Sequence, residues 1–66
     1  MKIILNGDAM EMAEGTTVAT LLVQLGIGRE RVAVELNADI VTKSAYDTQL
    51  LSDGDKIEIV HFVGGG

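Results

Sequence analysis

The sequence predicts an α+β fold, a mixed sheet of about four to five strands with one main helix packed on one face. Three observations predict it. Residues 2–6 and 57–63 are aliphatic, β-branched runs of strand type. Val18, Leu21, Leu22 and Leu25 recur at i, i+3, i+4 and i+7, the spacing of one helix face. Turn-forming groups at Asn6-Gly7, Asn37-Ala38-Asp39 and Ser52-Asp53-Gly54-Asp55 divide the remainder. The 66 residues make one domain, and at this size folding buries only about 60% of the unfolded chain's surface. With no Cys and one His, the chain has no disulfide and no expected structural zinc. Its core must come from aliphatic packing, which a hydrophobic content of 47% can supply.

In chain order, residues 2–6 are the first strand, with Ile3 and Leu5 on one face and Ile4 on the other. Asn6-Gly7 before Asp8 is a hairpin turn, because a primed turn needs positive φ at its central positions. Residues 9–13 return as a second strand with Met10 and Met12 facing one way; methionine is adaptable core filler. Glu14-Gly15 ends the hairpin, and Thr16 or Thr17 caps the helix. Gly26 suits the position after the helix, with Ile27 making the apolar contact beyond it. Residues 28–31 are a polar connection. Val32, Val34 and Leu36 alternate in a third strand, Asn37-Ala38-Asp39 turns, and Ile40-Val41 adds a short strand. Residues 42–49 are an irregular loop with one helical turn around residues 44–47, anchored by a buried Tyr46 ring. Leu50 and Leu51 pack before the turn at residues 52–55, and Lys56 opens the last strand.

The first and last strands are too distant in sequence for a tight turn. If they pair, they are parallel neighbours at the centre of the sheet, with the helix across one face. That is the β-grasp arrangement; the alternative is an unrelated small α+β sandwich.

The net charge of −5 and the absence of a basic patch argue against nucleic acid and anionic membrane as partners. No secretory leader is expected, since Lys2 is followed by three apolar residues and then Asn6-Gly7, and no run reaches the length of a membrane span. A stand-alone enzyme needs convergent groups, and His61 has no Cys to activate. Asp53 and Asp55 flank Gly54 as turn residues; the further ligands of a calcium loop are missing. Gly26-Ile27-Gly28 lacks the later glycine and the preceding strand of a phosphate loop.

The last residues are more informative. Residues 1–63 make the domain and residues 64–66 a flexible glycine tail. Glycine has no Cβ and accepts nearly any φ/ψ. A strand that delivers Gly64, Gly65 and Gly66 therefore suits a tail entering a narrow site on another protein; a frayed terminus is the alternative. If Ile57 and Ile59 face the helix, Val60 and Phe62 face the open side of the sheet. Val60, Phe62 and Val63, with Ile4 nearby, then form a candidate partner-binding patch beside the tail. Alternatively, a bulge turns Phe62 inward.

Several of these residues together resemble the ThiS family, bacterial ubiquitin-like β-grasp sulfur carriers of thiamin (thiazole) biosynthesis. The resemblance rests on Met1-Lys2-Ile3 to Asn6-Gly7, Glu35-Leu36-Asn37 with Ile40-Val41, Leu51 with residues 53–60, and the terminal Val63-Gly64-Gly65-Gly66. It covers the whole chain. Length favours it over the small subunit of molybdopterin synthase, a related carrier that is usually longer. The sequence departs from the family at Asn37-Ala38-Asp39, where Asn-Gly-Glu is more usual, and at Thr42-Lys43, where a basic residue or proline often follows the Ile-Val pair.

The resemblance implies a cytoplasmic protein co-substrate rather than a catalyst. A ThiF-like adenylyltransferase would use ATP to form an acyl adenylate on Gly66, and Gly64 and Gly65 would thread the tail into its site. A sulfur donor, a cysteine desulfurase or similar, would then leave a thiocarboxylate on Gly66 that a ThiG-like thiazole synthase consumes. No bound cofactor or metal is implied for the chain itself. Alternatives are a sulfur carrier of molybdopterin type, or a ubiquitin-like modifier or interaction module.

Overall fold

A computed structural model describes residues 1–62. Strand β1 (Lys2–Leu5) turns into β2 (Asp8–Glu11), helix α1 (Val18–Leu25) follows, and β3 (Val32–Leu36), β4 (Asp39–Val41) and β5 (Lys56–His61) complete the chain. The five strands form one mixed sheet in the order β2-β1-β5-β3-β4. The first and last strands are parallel neighbours, as expected, with Leu5 beside Ile57. On its other side β5 runs antiparallel to β3 from Leu36↔Ile57 to Val32↔His61. This is the β-grasp fold, and β5 is its middle strand.

Sequence dictates each element locally. Asn6 (φ 46°) and Gly7 (φ 87°) are both left-handed, so β1 reverses into β2 through a two-residue primed turn. Thr17 is the helix cap: its hydroxyl accepts from the Thr20 N–H, and the Thr20 hydroxyl accepts from the Thr17 N–H. Thr16 is buried instead and donates to the Ala13 carbonyl. Two further N–H groups of the first helical turn, on Val18 and Ala19, donate to the Gln49 and Tyr46 carbonyls. The loop after β4 thus satisfies donors that the helix cannot. At the other end Gly26 sits at φ 71°, and the Ile27 N–H reaches back to the Leu22 carbonyl.

Val18, Leu21 and Leu22 pack on Ile3, Val32, Val34, Val41, Tyr46, Leu51, Ile57 and Ile59, with Met10, Met12, Leu25 and Ile27 at the margin. Burying such a core is the main favourable term for a domain this small. The Tyr46 ring lies inside it and its hydroxyl points to the Val32 carbonyl at 3.5 Å. The turn at residues 52–55 uses its aspartates as backbone acceptors. Asp53 takes the Lys2 N–H, and Asp55 takes the Ser52 N–H on one oxygen and the Asn37 carboxamide on the other.

Four expectations are corrected. Leu50 does not pack: it is 56% exposed, because adjacent side chains of an extended segment point oppositely and Leu51 takes the core side. The polar connection after the helix contains a 3₁₀ turn, Arg29–Arg31, and the helical turn of the later loop lies at Lys43–Ala45 rather than at residues 44–47. The two are tied together, Arg29 to Asp47 at 3.1 Å and to the Lys43 carbonyl, and Lys43 to the Glu30 carbonyl. Arg29 also stacks over the Tyr46 ring, 5.4 Å from its centre. The hydrogen bond that Arg29 donates to Asp47 holds the guanidinium pKa above its ordinary value. Finally, Ile4 pairs with Lys56 at the start of β5 and so lies away from Phe62.

Candidate functional site

The site is built on the far end of β5. Its side chains alternate: Ile57 and Ile59 are buried against the helix side, and Glu58 and Val60 are exposed on the open side. Val60 is 57% exposed and lies opposite Ala33 of β3. Phe62 follows at 55% exposure, its N–H donating to the Arg31 carbonyl at 2.9 Å. No bulge turns the ring inward: the ladder with β3 keeps its register to Val32↔His61, and the Phe62 bond to Arg31 follows directly after it. An aromatic ring held this way on a solvated face is available as an anchor for a partner.

The open face also carries Ile40, 75% exposed, opposite Glu35, which in turn faces Glu58 across β3 and β5. Two carboxylates directly opposite each other repel. Of the predicted patch, Val60 and Phe62 are therefore brought together on one surface. Val63 and the tail residues Gly64, Gly65 and Gly66 lie outside the described residues, as does the boundary between domain and tail.

By sequence Asn6 and Asn37 are turn residues, and in the structure they do more. The Ile59 N–H donates to Asn6 Oδ1 at 2.7 Å, and Asn6 Nδ2 donates to the Ile59 carbonyl at 3.1 Å. The Lys56 N–H donates to Asn37 Oδ1 at 3.0 Å. Each carboxamide replaces a peptide group beside β5 where the neighbouring strand has turned away. Asparagine at the first position of a primed turn was the available signal, but the partners lie 53 and 19 residues downstream.

Among the described residues no group of three or more His, Cys, Asp or Glu could hold a metal ion, and no helix is long and apolar enough to cross a membrane. Two open grooves, of about 350 and 330 Å³, lie elsewhere, one between β4 and the Lys43–Ala45 turn, the other along α1 beside Ile27. Neither is lined by Val60 or Phe62.

The model of the ThiS family matches residues 3–66. The chain belongs to the ThiS family. The sulfur carrier protein ThiS of Bacillus subtilis is 43% identical over 63 residues, covering 94% of this chain and 96% of that one. A crystal structure of the ThiS thiamine biosynthesis protein from Geobacter metallireducens superposes with a TM-score of 0.86 at 36% identity, each chain fully covered. A thiazole synthase of Paramagnetospirillum magneticum is 47% identical over all 66 residues, but the chain spans only 20% of that protein's length. The ThiS family thus includes free-standing domains of this size and resembles a segment of larger proteins.

Proposed function

We propose that this ThiS-family chain is a sulfur carrier of thiamin biosynthesis whose Gly66 carboxylate is adenylated and then converted to a thiocarboxylate. The observation that carries the reading is the match, over all or nearly all of the chain, to free-standing proteins named as the sulfur carrier ThiS. The exposed Val60 and Phe62 at the root of the Gly64-Gly65-Gly66 sequence support it.

A carboxylate is a poor electrophile. In the first step its oxygen attacks the α-phosphorus of ATP, which a ThiF-like adenylyltransferase would bind, and pyrophosphate leaves. The acyl carbon then carries AMP, a good leaving group. The outer sulfur of a persulfide on a cysteine desulfurase or similar donor adds to that carbon and AMP departs, leaving an acyl disulfide. A second thiol then attacks the donor's sulfur, breaking the S–S bond so that the thiocarboxylate leaves and a disulfide forms on the donor side. The resulting thiocarboxylate hands its sulfur to a thiazole synthase, an acceptor favoured by the likeness to part of one. The chain is thereby a consumed and regenerated co-substrate, in a cytoplasmic setting, that needs no catalytic side chain of its own. Its part is to dock through Val60 and Phe62 and to present a terminus without side chains. Any Cβ at Gly65 or Gly66 would widen what must enter the activating site.

The test is the intact mass of the chain after incubation with a cognate adenylyltransferase, ATP and a sulfur source. Replacement of one oxygen by sulfur is expected. Gly66→Ala or deletion of Gly66 should leave thermal unfolding unchanged and lower adenylation about 100-fold or more, as a misplaced reacting group does. Normal adenylation of both variants would refute the reading.

A further inference from the structure

We propose that Asn6 is a positioning residue for the carrier reaction, its carboxamide fixing the direction in which β5 leaves the sheet. The proposal rests on the reading of Gly66 as the acceptor. β1 accompanies β5 only as far as Leu5↔Ile57, where the Asn6 N–H donates to the Ile57 carbonyl at 2.9 Å. A parallel ladder would next engage the N–H and the carbonyl of Ile59. The backbone cannot supply that step, because it turns away at Asn6 and Gly7 with φ of 46° and 87°. The Asn6 side chain supplies both halves, accepting from the Ile59 N–H and donating to the Ile59 carbonyl.

This pair of bonds is the last hold on β5 from the β1 side among the described residues. Beyond Ile59, β5 is held on the other flank alone among the described residues, by its pairing with β3 at Val60↔Ala33 and His61↔Val32 and by the bond from the Phe62 N–H to the Arg31 carbonyl. Arg31 belongs to a 3₁₀ turn rather than a strand. A strand held on one flank can swing about that flank; held on both it keeps one direction. Val60 and Phe62, which the partner would grip, sit just past the Asn6 clamp. Loss of the clamp should leave the patch able to bind while the terminal carboxylate is delivered off-line. Binding and chemistry then separate: KM holds and kcat falls.

The experiment compares wild type with Asn6→Gly and Asn6→Asp. Glycine accepts the left-handed φ without strain and removes the carboxamide, so the turn itself is preserved. Aspartate keeps the acceptor for the Ile59 N–H and sets an oxygen against the Ile59 carbonyl. Pyrophosphate release by a cognate adenylyltransferase gives kcat and KM for the carrier, and amide hydrogen exchange gives local opening. Expected for Asn6→Gly are about a 10- to 100-fold loss of kcat and a KM within about threefold of wild type. Exchange should accelerate at Ile59 while protection at Ile3 and Val34 is retained. Asn6→Asp should show the same kcat loss in milder form, and it carries the test if Asn6→Gly fails to fold. Unchanged kcat in a folded variant overturns the positioning role, as does a KM rise at constant kcat. A wild-type chain that is not adenylated at all overturns the carrier reading first, and the two failures are thus distinct.

Discussion

Replacing Ala38 with glycine should stabilise this protein. Ala38 occupies the second central position of the turn between β3 and β4 at φ 73°, after Asn37 at φ 50°. The β1–β2 turn has the same left-handed pair, Asn6 at 46° and then Gly7 at 87°. A residue with a Cβ costs about 1–2 kcal/mol in that region. The Ala38 methyl is exposed, so little burial is lost with it. Against the relief stands the extra freedom of glycine in the unfolded chain, about 0.4–1 kcal/mol. The difference is a gain of about 0.5–1 kcal/mol for Ala38→Gly. In a domain of this size each kcal/mol moves Tm by about 4–8 °C, so a rise of about 2–8 °C is expected. The reciprocal substitution Gly7→Ala meets no atom within 4 Å of the added Cβ, so it should lower Tm by a similar amount through backbone strain alone. Paired thermal and urea unfolding followed by circular dichroism measures both. An Ala38→Gly variant with unchanged or lower Tm and an unchanged urea slope refutes the strain argument.

Phe62→Ala should raise KM for the adenylyltransferase about tenfold or more while costing less than about 1 kcal/mol of stability, since the ring is already half in solvent; a large drop in Tm with unchanged KM contradicts this. Thr17→Ala should cost about 0.5–2 kcal/mol, measurable in urea, because it removes the Thr20 N–H acceptor and one half of the reciprocal cap.

What was legible in the sequence was whatever neighbours in sequence decide. The helix stripe, the Asn6-Gly7 turn, the Gly26 cap and the parity of β5 all follow from local spacing, and the structure keeps them. What was not legible depends on partners far along the chain. No tight turn links β1 to β5, so nothing local sets their parallel register, and Ile4 lands beside Lys56 rather than beside Phe62. The Arg29–Arg31 turn has no side-chain cap of its own and is fastened by Asp47 and the Lys43 carbonyl. The choice between Leu50 and Leu51 needed the direction of that segment, which the bond from the Leu51 N–H to the Thr16 carbonyl and the Thr17↔Leu50 bridge fix. The carboxamides of Asn6 and Asn37 act on β5, and turn chemistry alone accounted for them.

The sheet order explains why a carrier would present its terminus from β5 rather than from an edge. The edge strands are short, four residues in β2 and three in β4, and each offers polar or charged groups, Asp8, Glu11 and Asp39. Short, charged edges resist pairing with other chains. β5 has neighbours on both sides, buries Ile57 and Ile59, and is held by two asparagine carboxamides where those neighbours turn away. Opening such a strand means breaking the middle of the sheet, which comes close to unfolding the domain. A partner that grips Val60 and Phe62 therefore works against the stability of the whole fold rather than against a peripheral strand. Stability is thus concentrated in the strand that precedes Val63-Gly64-Gly65-Gly66 in sequence.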